Sequence, residues 1–190
     1  MKMEFFILQN SNHKNNRISA KPRIYFMIIT AIFIALTYVF TAFVNIQLPA
    51  MSSGGLIHLG NIPLFIGAII FGKKVGALAG GIGMALFDLF SPWAVWTLYT
   101  LIIVGLMGYF VGLITEKHNT VRFYILAIFV AMLIKIVGYY FAEVILFGNW
   151  VTPLLSIVAN IMQVAVAGII VIPIVGRLKT TVLKSLKINF

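Results

Sequence analysis

The sequence predicts an all-α membrane protein: six transmembrane helices in one bundle, with the N and C termini cytoplasmic. Three observations carry that prediction. Of 190 residues, only 9% are charged and 62% are hydrophobic, with a mean hydropathy of +1.07. A soluble domain carries roughly 25% charged residues, so lipid must be the main solvent here. The apolar residues gather into about six stretches of membrane-crossing or near-crossing length. Finally, thirteen of the fourteen Lys and Arg residues can be placed on one side of a membrane. They precede the first stretch (Lys2, Lys14, Arg17, Lys21, Arg23), follow the second (Lys73, Lys74), follow the fourth (Lys117, Arg122) and follow the sixth (Arg177, Lys179, Lys184, Lys187). Cytoplasmic loops retain such residues because translocating them is unfavourable. Lys135 is the exception.

The first span is predicted over about Ile24 to Val44, the second over Leu56 to Phe71 and the third over Val75 to Phe90. The fourth covers Val95 to Ile114, the fifth Phe123 to Phe147 and the sixth Leu154 to Val175. The second and third are shorter than the roughly 20 residues a helix needs to cross. They form either a re-entrant hairpin or two short crossings. A hairpin entering from outside would bury Lys73 and Lys74 at its tip, which is costly and favours two crossings. Residues 1–22 are read as a mobile cytoplasmic N-terminal tail, 23–178 as the six-helix transmembrane domain, and 179–190 as a basic cytoplasmic C-terminal tail. The apolar run Phe5 to Leu8 is too short for a cleaved signal peptide. On the third span Gly72, Gly76 and Gly80 share one helix face, and Gly108 and Gly112 repeat the spacing on the fourth. Small residues at that spacing let membrane helices pack closely.

Several function classes are excluded by composition. The chain has no cysteine, which removes disulfides, thiolate metal sites and cysteine nucleophiles. The net charge of +10 is scattered over short loops; it reads as a topology signal with attraction to the lipid bilayer, and no nucleic acid partner is expected. Gly-Lys-Lys at 72–74 lacks the Ser or Thr of a nucleotide-binding loop. No cofactor, metal site or catalytic constellation is predicted.

Polar residues at membrane depth are expensive, so each is a candidate for function. Asp88, Glu143, Asn160, Gln163, His58 and Asn61 all fall towards the outer ends of their spans, and Lys135 lies near mid-depth. The inner halves hold little that is polar beyond Thr and Ser. A conduit needs polar groups at successive depths; this distribution suits a pocket open to the outside. Asn160 and Gln163 share a helix face and can both donate to and accept from a small polar ligand. Asp88, Glu143 and Lys135 offer opposite charges for one another or for a ligand. Trp93, Trp96, Tyr99, Tyr139, Tyr140 and Trp150 crowd the same side, as interface anchors or as rings that stack on a flat ligand. His58 alone reads as a loop residue. The uncharged connection from Asn45 to Gly55 is long enough to act as a lid.

Four stretches, GGLIHLGNIPLFIGAIIFG at 54–72, KVGALAGGIGMALFDL at 74–89, GYYFAEVILFG at 138–148 and ANIMQVAVAGIIVIPI at 159–174, together resemble the substrate-binding S components of energy-coupling factor (ECF) vitamin transporters. The likeness is greatest to the branch labelled ECF-type riboflavin transporter S component. The resemblance implies six helices, a ligand held near the outer face, and partnership with a coupling transmembrane subunit and two ATPase subunits in a prokaryotic plasma membrane. It also implies that Ala31 and Ala35 form the face that docks the coupling subunit. Asn61 and Val104 depart from the family, where an acid and a lysine are frequent. The expected pocket is Asp88, Trp96, Lys135, Tyr139, Glu143, Asn160 and Gln163, binding a small water-soluble vitamin of pyridoxine or hydroxymethylpyrimidine type. Riboflavin is an alternative ligand, and a self-sufficient secondary carrier the alternative class.

Overall fold

The computed structural model describes the backbone of residues 2–47 and 56–186, and side chains within 23–45 and 56–185. Among these residues are six α-helices: α1 (Lys2–Phe43), α2 (Asn61–Phe71), α3 (Lys73–Leu89), α4 (Thr97–Thr115), α5 (Val121–Phe147) and α6 (Leu154–Leu186). A short antiparallel hairpin, β1 (Asn45–Gln47) and β2 (Leu56–His58), joins α1 to α2, pairing Asn45 with His58 and Gln47 with Leu56. Residues 48–55, where the lid was expected, lie outside the described residues.

Four segments are long and apolar enough to cross a membrane: Arg23–Phe43, Ala94–Thr115, Val121–Phe147 and Leu154–Ser185. The chain is therefore a helical membrane protein, with one small hairpin. The other two helices are short, with 11 residues in α2 and 17 in α3. The expected second span is not helical throughout, because Leu56–His58 is the strand β2. Apolar runs of this length do not distinguish strand from buried helix. Both expected tails also change character. The segment before residue 23 is helical and continuous with the first span, and α6 continues through 179–186.

Successive helices alternate in direction. Lys73, Lys74, Lys117, Lys179 and Lys184 consequently surround one cavity at one end of the bundle, while β2 and the 3-10 turn Ala94–Trp96 lie at the other. The link between α2 and α3 is the single residue Gly72, at φ +87°, a conformation that costs a residue with a Cβ. The Lys73 backbone N–H donates to Glu116 Oε1 at 3.1 Å, and its ammonium meets Glu116 Oε2 at 3.1 Å. This ties the α2–α3 turn to the end of α4.

The α3–α4 interface is the most extensive in the bundle, and glycine creates it. A Cβ on Gly108 would lie 2.1 Å from the Gly76 carbonyl oxygen, and one on Gly112 would lie 2.3 Å from the Lys73 nitrogen. The predicted glycine face thus packs backbone to backbone. α2 is buried along nearly its whole length, with Leu64, Phe65 and Ala68 fully covered. Together with Met107, Val111, Ala127, Val164, Val171 and Val175, these residues form the main apolar core.

Candidate functional site

A cavity of about 60 Å³ opens at the hairpin end of the bundle. Helical periodicity decides who lines it. On α5, Lys135, Tyr139 and Glu143 recur every fourth residue and so share one face. On α6, Ser156, Asn160 and Gln163, spaced four and then three apart, also share one face. Each of these two stripes continues inward as small apolar residues, Ala131 and Ala127 on α5, Ala167 and Val171 on α6. Asp88 enters from the last turn of α3 and Trp96 from the 3-10 turn. Beyond α3, Ser91 organises the connection: its hydroxyl donates to the Asp88 carbonyl at 3.1 Å and accepts from the Trp93 N–H at 3.2 Å.

All seven residues expected from the sequence, Asp88, Trp96, Lys135, Tyr139, Glu143, Asn160 and Gln163, line this one cavity. Lys135 is only 2% exposed, and its ammonium donates to Gln163 Oε1 at 2.6 Å. Gln163 Nε2 in turn donates to the Leu56 carbonyl on β2. Lys135 therefore has an internal partner, but that partner is an amide. Of the two uses open to the opposite charges, pairing with one another or with a ligand, the first is not seen: among the described residues the one ion pair is Lys73–Glu116. Lys135 also lies 5.7 Å from the centroid of the Tyr139 ring, within cation–π range.

Asp88 and Glu143 are buried, and Asp88 Oδ2 and Glu143 Oε2 have no hydrogen-bond partner among the described residues. Buried carboxylate oxygens without donors are costly. Facing a cavity, they are acceptors ready for a ligand's N–H or O–H groups. Trp96 is buried against Tyr139 at 6.0 Å and Tyr99 at 6.5 Å between ring centroids. The Tyr139 hydroxyl is fixed by Thr100 Oγ1 at 2.9 Å. The aromatic group thus divides: Trp93, Trp96 and Tyr139 line the cavity, with Tyr99 behind them. Tyr140 instead donates to the Trp150 carbonyl at 3.0 Å, and Trp150 is exposed, away from the lining.

His58 lines the cavity although its sequence context marks only a loop residue. Its Nδ1 accepts from the Gly60 N–H at 3.3 Å, which leaves Nε2 to carry the proton of a neutral ring. The strand β2 puts His58 and Leu56 on the cavity wall, and that strand was read as helix. Thr100 and Ser156 line the cavity too; short hydroxyls give no sequence signal distinct from helix-internal Ser and Thr. Asn61 stays outside the lining. It is fully buried, with both side-chain polar atoms unpartnered among the described residues, and Val104 is a core residue. Ala31 and Ala35 are both exposed on α1, so their small-residue face is not used in packing this bundle.

Residues 22–180 match the family described as ECF-type riboflavin transporter, S component. The protein named thiamine precursor transporter HmpT, from Lactococcus lactis subsp. cremoris, is 28% identical over 140 residues, covering 74% of this chain and 79% of that relative. A Pyrococcus woesei protein, described as an uncharacterized protein in a gap 3′ region, is 32% identical over 103 residues, covering 54% of this chain and 69% of its own length. With a match that extends from within α1 to within α6, the chain belongs to the ECF-type riboflavin transporter S component family, a family of transporter subunits rather than enzymes.

Proposed function

We propose that this chain is the substrate-binding subunit for a small aminopyrimidine of the hydroxymethylpyrimidine type. It spans a prokaryotic plasma membrane six times with both termini cytoplasmic. It releases its ligand inward only when joined to a coupling transmembrane subunit and two ATPase subunits. The observation that carries the ligand class is the pair of buried, unpartnered carboxylate oxygens on Asp88 and Glu143 in an aromatic-walled cavity. An aminopyrimidine supplies an exocyclic amine and a hydroxyl to these acceptors and a flat ring to Trp96 and Tyr139. Its ring nitrogens accept from Asn160 or from the Lys135 ammonium. The relative named for thiamine precursor transport agrees with this class.

Size argues in the same direction. A cavity of about 60 Å³ has room for roughly four waters. A single ring needs modest side-chain movement to enter, and a tricyclic flavin needs much more. Pyridoxine has donors for the same acceptors but no exocyclic amine. Against a self-sufficient carrier stands the core between the two ends of the bundle. Leu64, Phe65, Met107, Val111 and Val171 fill it, so among the described residues no chain of polar groups continues from Gln163 to the basic end.

Trp93 and Trp96 make the cavity its own reporter. Titrating purified protein with hydroxymethylpyrimidine, pyridoxine and riboflavin, while following tryptophan fluorescence, ranks the three. Tightest binding by the aminopyrimidine is expected, together with uptake into liposomes only when the ATPase module and ATP are present. Tightest binding of riboflavin would refute the ligand class. Uptake by this chain alone would refute the subunit role.

A further inference from the structure

A second cavity, about 1140 Å³, lies at the opposite end from the ligand site. Its lining combines two chemistries. Phe26, Ile69, Ile70, Phe71 and Leu183 give it an apolar floor, and five lysines with one glutamate give it a charged rim. That glutamate, Glu116, is already engaged by Lys73 through both its oxygens. Lys179 is also engaged: it is buried and donates to the Thr115 carbonyl at 2.9 Å. Lys74, Lys117 and Lys184 have no carboxylate or hydrogen-bond partner among the described residues. They come from three different elements, α3, the α4–α5 turn and α6, yet they converge on one cavity.

A topology signal alone requires only that lysines lie on the same side of the membrane. It does not require that three unpaired ammonium groups gather around a pocket with an apolar floor. We propose that this cavity is a discrete binding site for one anionic phospholipid. Lys74, Lys117 and Lys184 hold the phosphodiester, and an acyl chain lies along Ile69, Phe26 and Leu183. Charge complementarity selects the anion, since the rim is net positive and its one carboxylate is spent. The apolar floor selects a lipid over a free phosphate. Basic pockets between transmembrane helices recognise anionic headgroups in this way. The site is independent of the vitamin cavity, which lies about 20 Å or more away along α3.

The test is native mass spectrometry of delipidated, detergent-purified protein given equal phosphatidylglycerol and phosphatidylcholine. The wild type is expected to retain one phosphatidylglycerol in preference by about tenfold or more, since each lysine near the surface adds to the attraction. The variant K74A/K117A/K184A should bring the preference close to unity. The variant R122A/R177A, which removes two cations outside the lining, should keep it. Equal retention of both lipids by the wild type would overturn the proposal, and so would an unchanged preference in the triple variant. An equal loss in the R122A/R177A control would show diffuse attraction and overturn it too. Displacement of the lipid by millimolar inorganic phosphate would reassign the site to a free anion. A wild type with no lipid preference, whose triple variant no longer assembles with the ATPase module, would reassign it to a protein partner. Should circular dichroism show the triple variant misfolded, K117E, in the exposed α4–α5 turn, takes its place with the same expected loss of preference.

Discussion

Replacing Gln163 by Leu tests the central contact of the ligand cavity. Gln163 accepts from Lys135 at 2.6 Å and donates to the Leu56 carbonyl. Lys135 is 2% exposed, so its ammonium has little water to fall back on. Removing one partner of a hydrogen bond to a charged group costs about 1.5–3 kcal/mol. Leaving a buried charge uncompensated raises the cost to about 3–5 kcal/mol. Replacing Lys135 by Met removes the charge and leaves only a neutral amide oxygen unpaired, a loss of about 1–3 kcal/mol. In the double variant K135M/Q163L the buried charge and its lost acceptor vanish together, and the Leu56 carbonyl alone lacks its donor. The double variant should therefore be less destabilised than Q163L alone, with a coupling of about 4 kcal/mol. Reversible unfolding in mixed detergent micelles measures all four species of the cycle. Additivity within about 0.5 kcal/mol would show that the two side chains do not support one another and would refute the pairing.

Asn160 is the cleaner probe of ligand contact, because its side chain makes no hydrogen bond among the described residues; N160A should weaken aminopyrimidine binding about tenfold and leave unfolding nearly unchanged, as titration and thermal melts would show. D88N and E143Q should each lower affinity by about ten- to a hundredfold, the loss of one charge-assisted hydrogen bond, while raising stability because an unpartnered buried charge is removed. G108V should abolish the folded bundle, since a Cβ at Gly108 already meets the Gly76 carbonyl oxygen at 2.1 Å; recovery of monodisperse protein by size-exclusion chromatography would contradict the close approach of α3 and α4. A31L/A35L, on the exposed face of α1, should leave ligand titrations unchanged and block co-purification with the coupling subunit.

Much of this site was legible because a helix converts spacing into direction. Lys135, Tyr139 and Glu143 fall on one side of α5 by count alone. The depth of Asn160 and Gln163 follows from where α6 begins. The glycines of α3 announced a close neighbour, and Gly108 and Gly112 supplied it. Partner choice was not legible. Opposite charges on neighbouring spans could serve one another or a ligand; the fold gives Lys135 an amide and leaves each carboxylate an oxygen with no partner among the described residues. Lys179 shows the same limit. As one lysine among several after the last span it read as part of a solvated tail, yet it is buried and holds the end of α4 through the Thr115 carbonyl. Nothing local distinguishes it from Lys184, which stays exposed.

The hardest feature to foresee is also the one that makes the cavity. At 11 residues, α2 covers about 16 Å, against roughly 30 Å of hydrocarbon. It is fully packed at the basic end, beside Gly72 and the start of α3. The unfilled length lies wholly at its other end, above Asn61. The longer α6, packed against α2, and α5 beside α6 continue past that point, so their inward faces meet space rather than helix. Polar residues on those faces are tolerable only if something other than lipid closes the gap. The hairpin does so: β2 brings Leu56 and His58 against the opening, and the Leu56 carbonyl gives Gln163 its acceptor. Shortening one helix and replacing its missing turns by a strand thus creates both the vacancy and its wall. It follows that lengthening α2 by one apolar turn should fill the space that the ligand needs, whichever vitamin precursor that is.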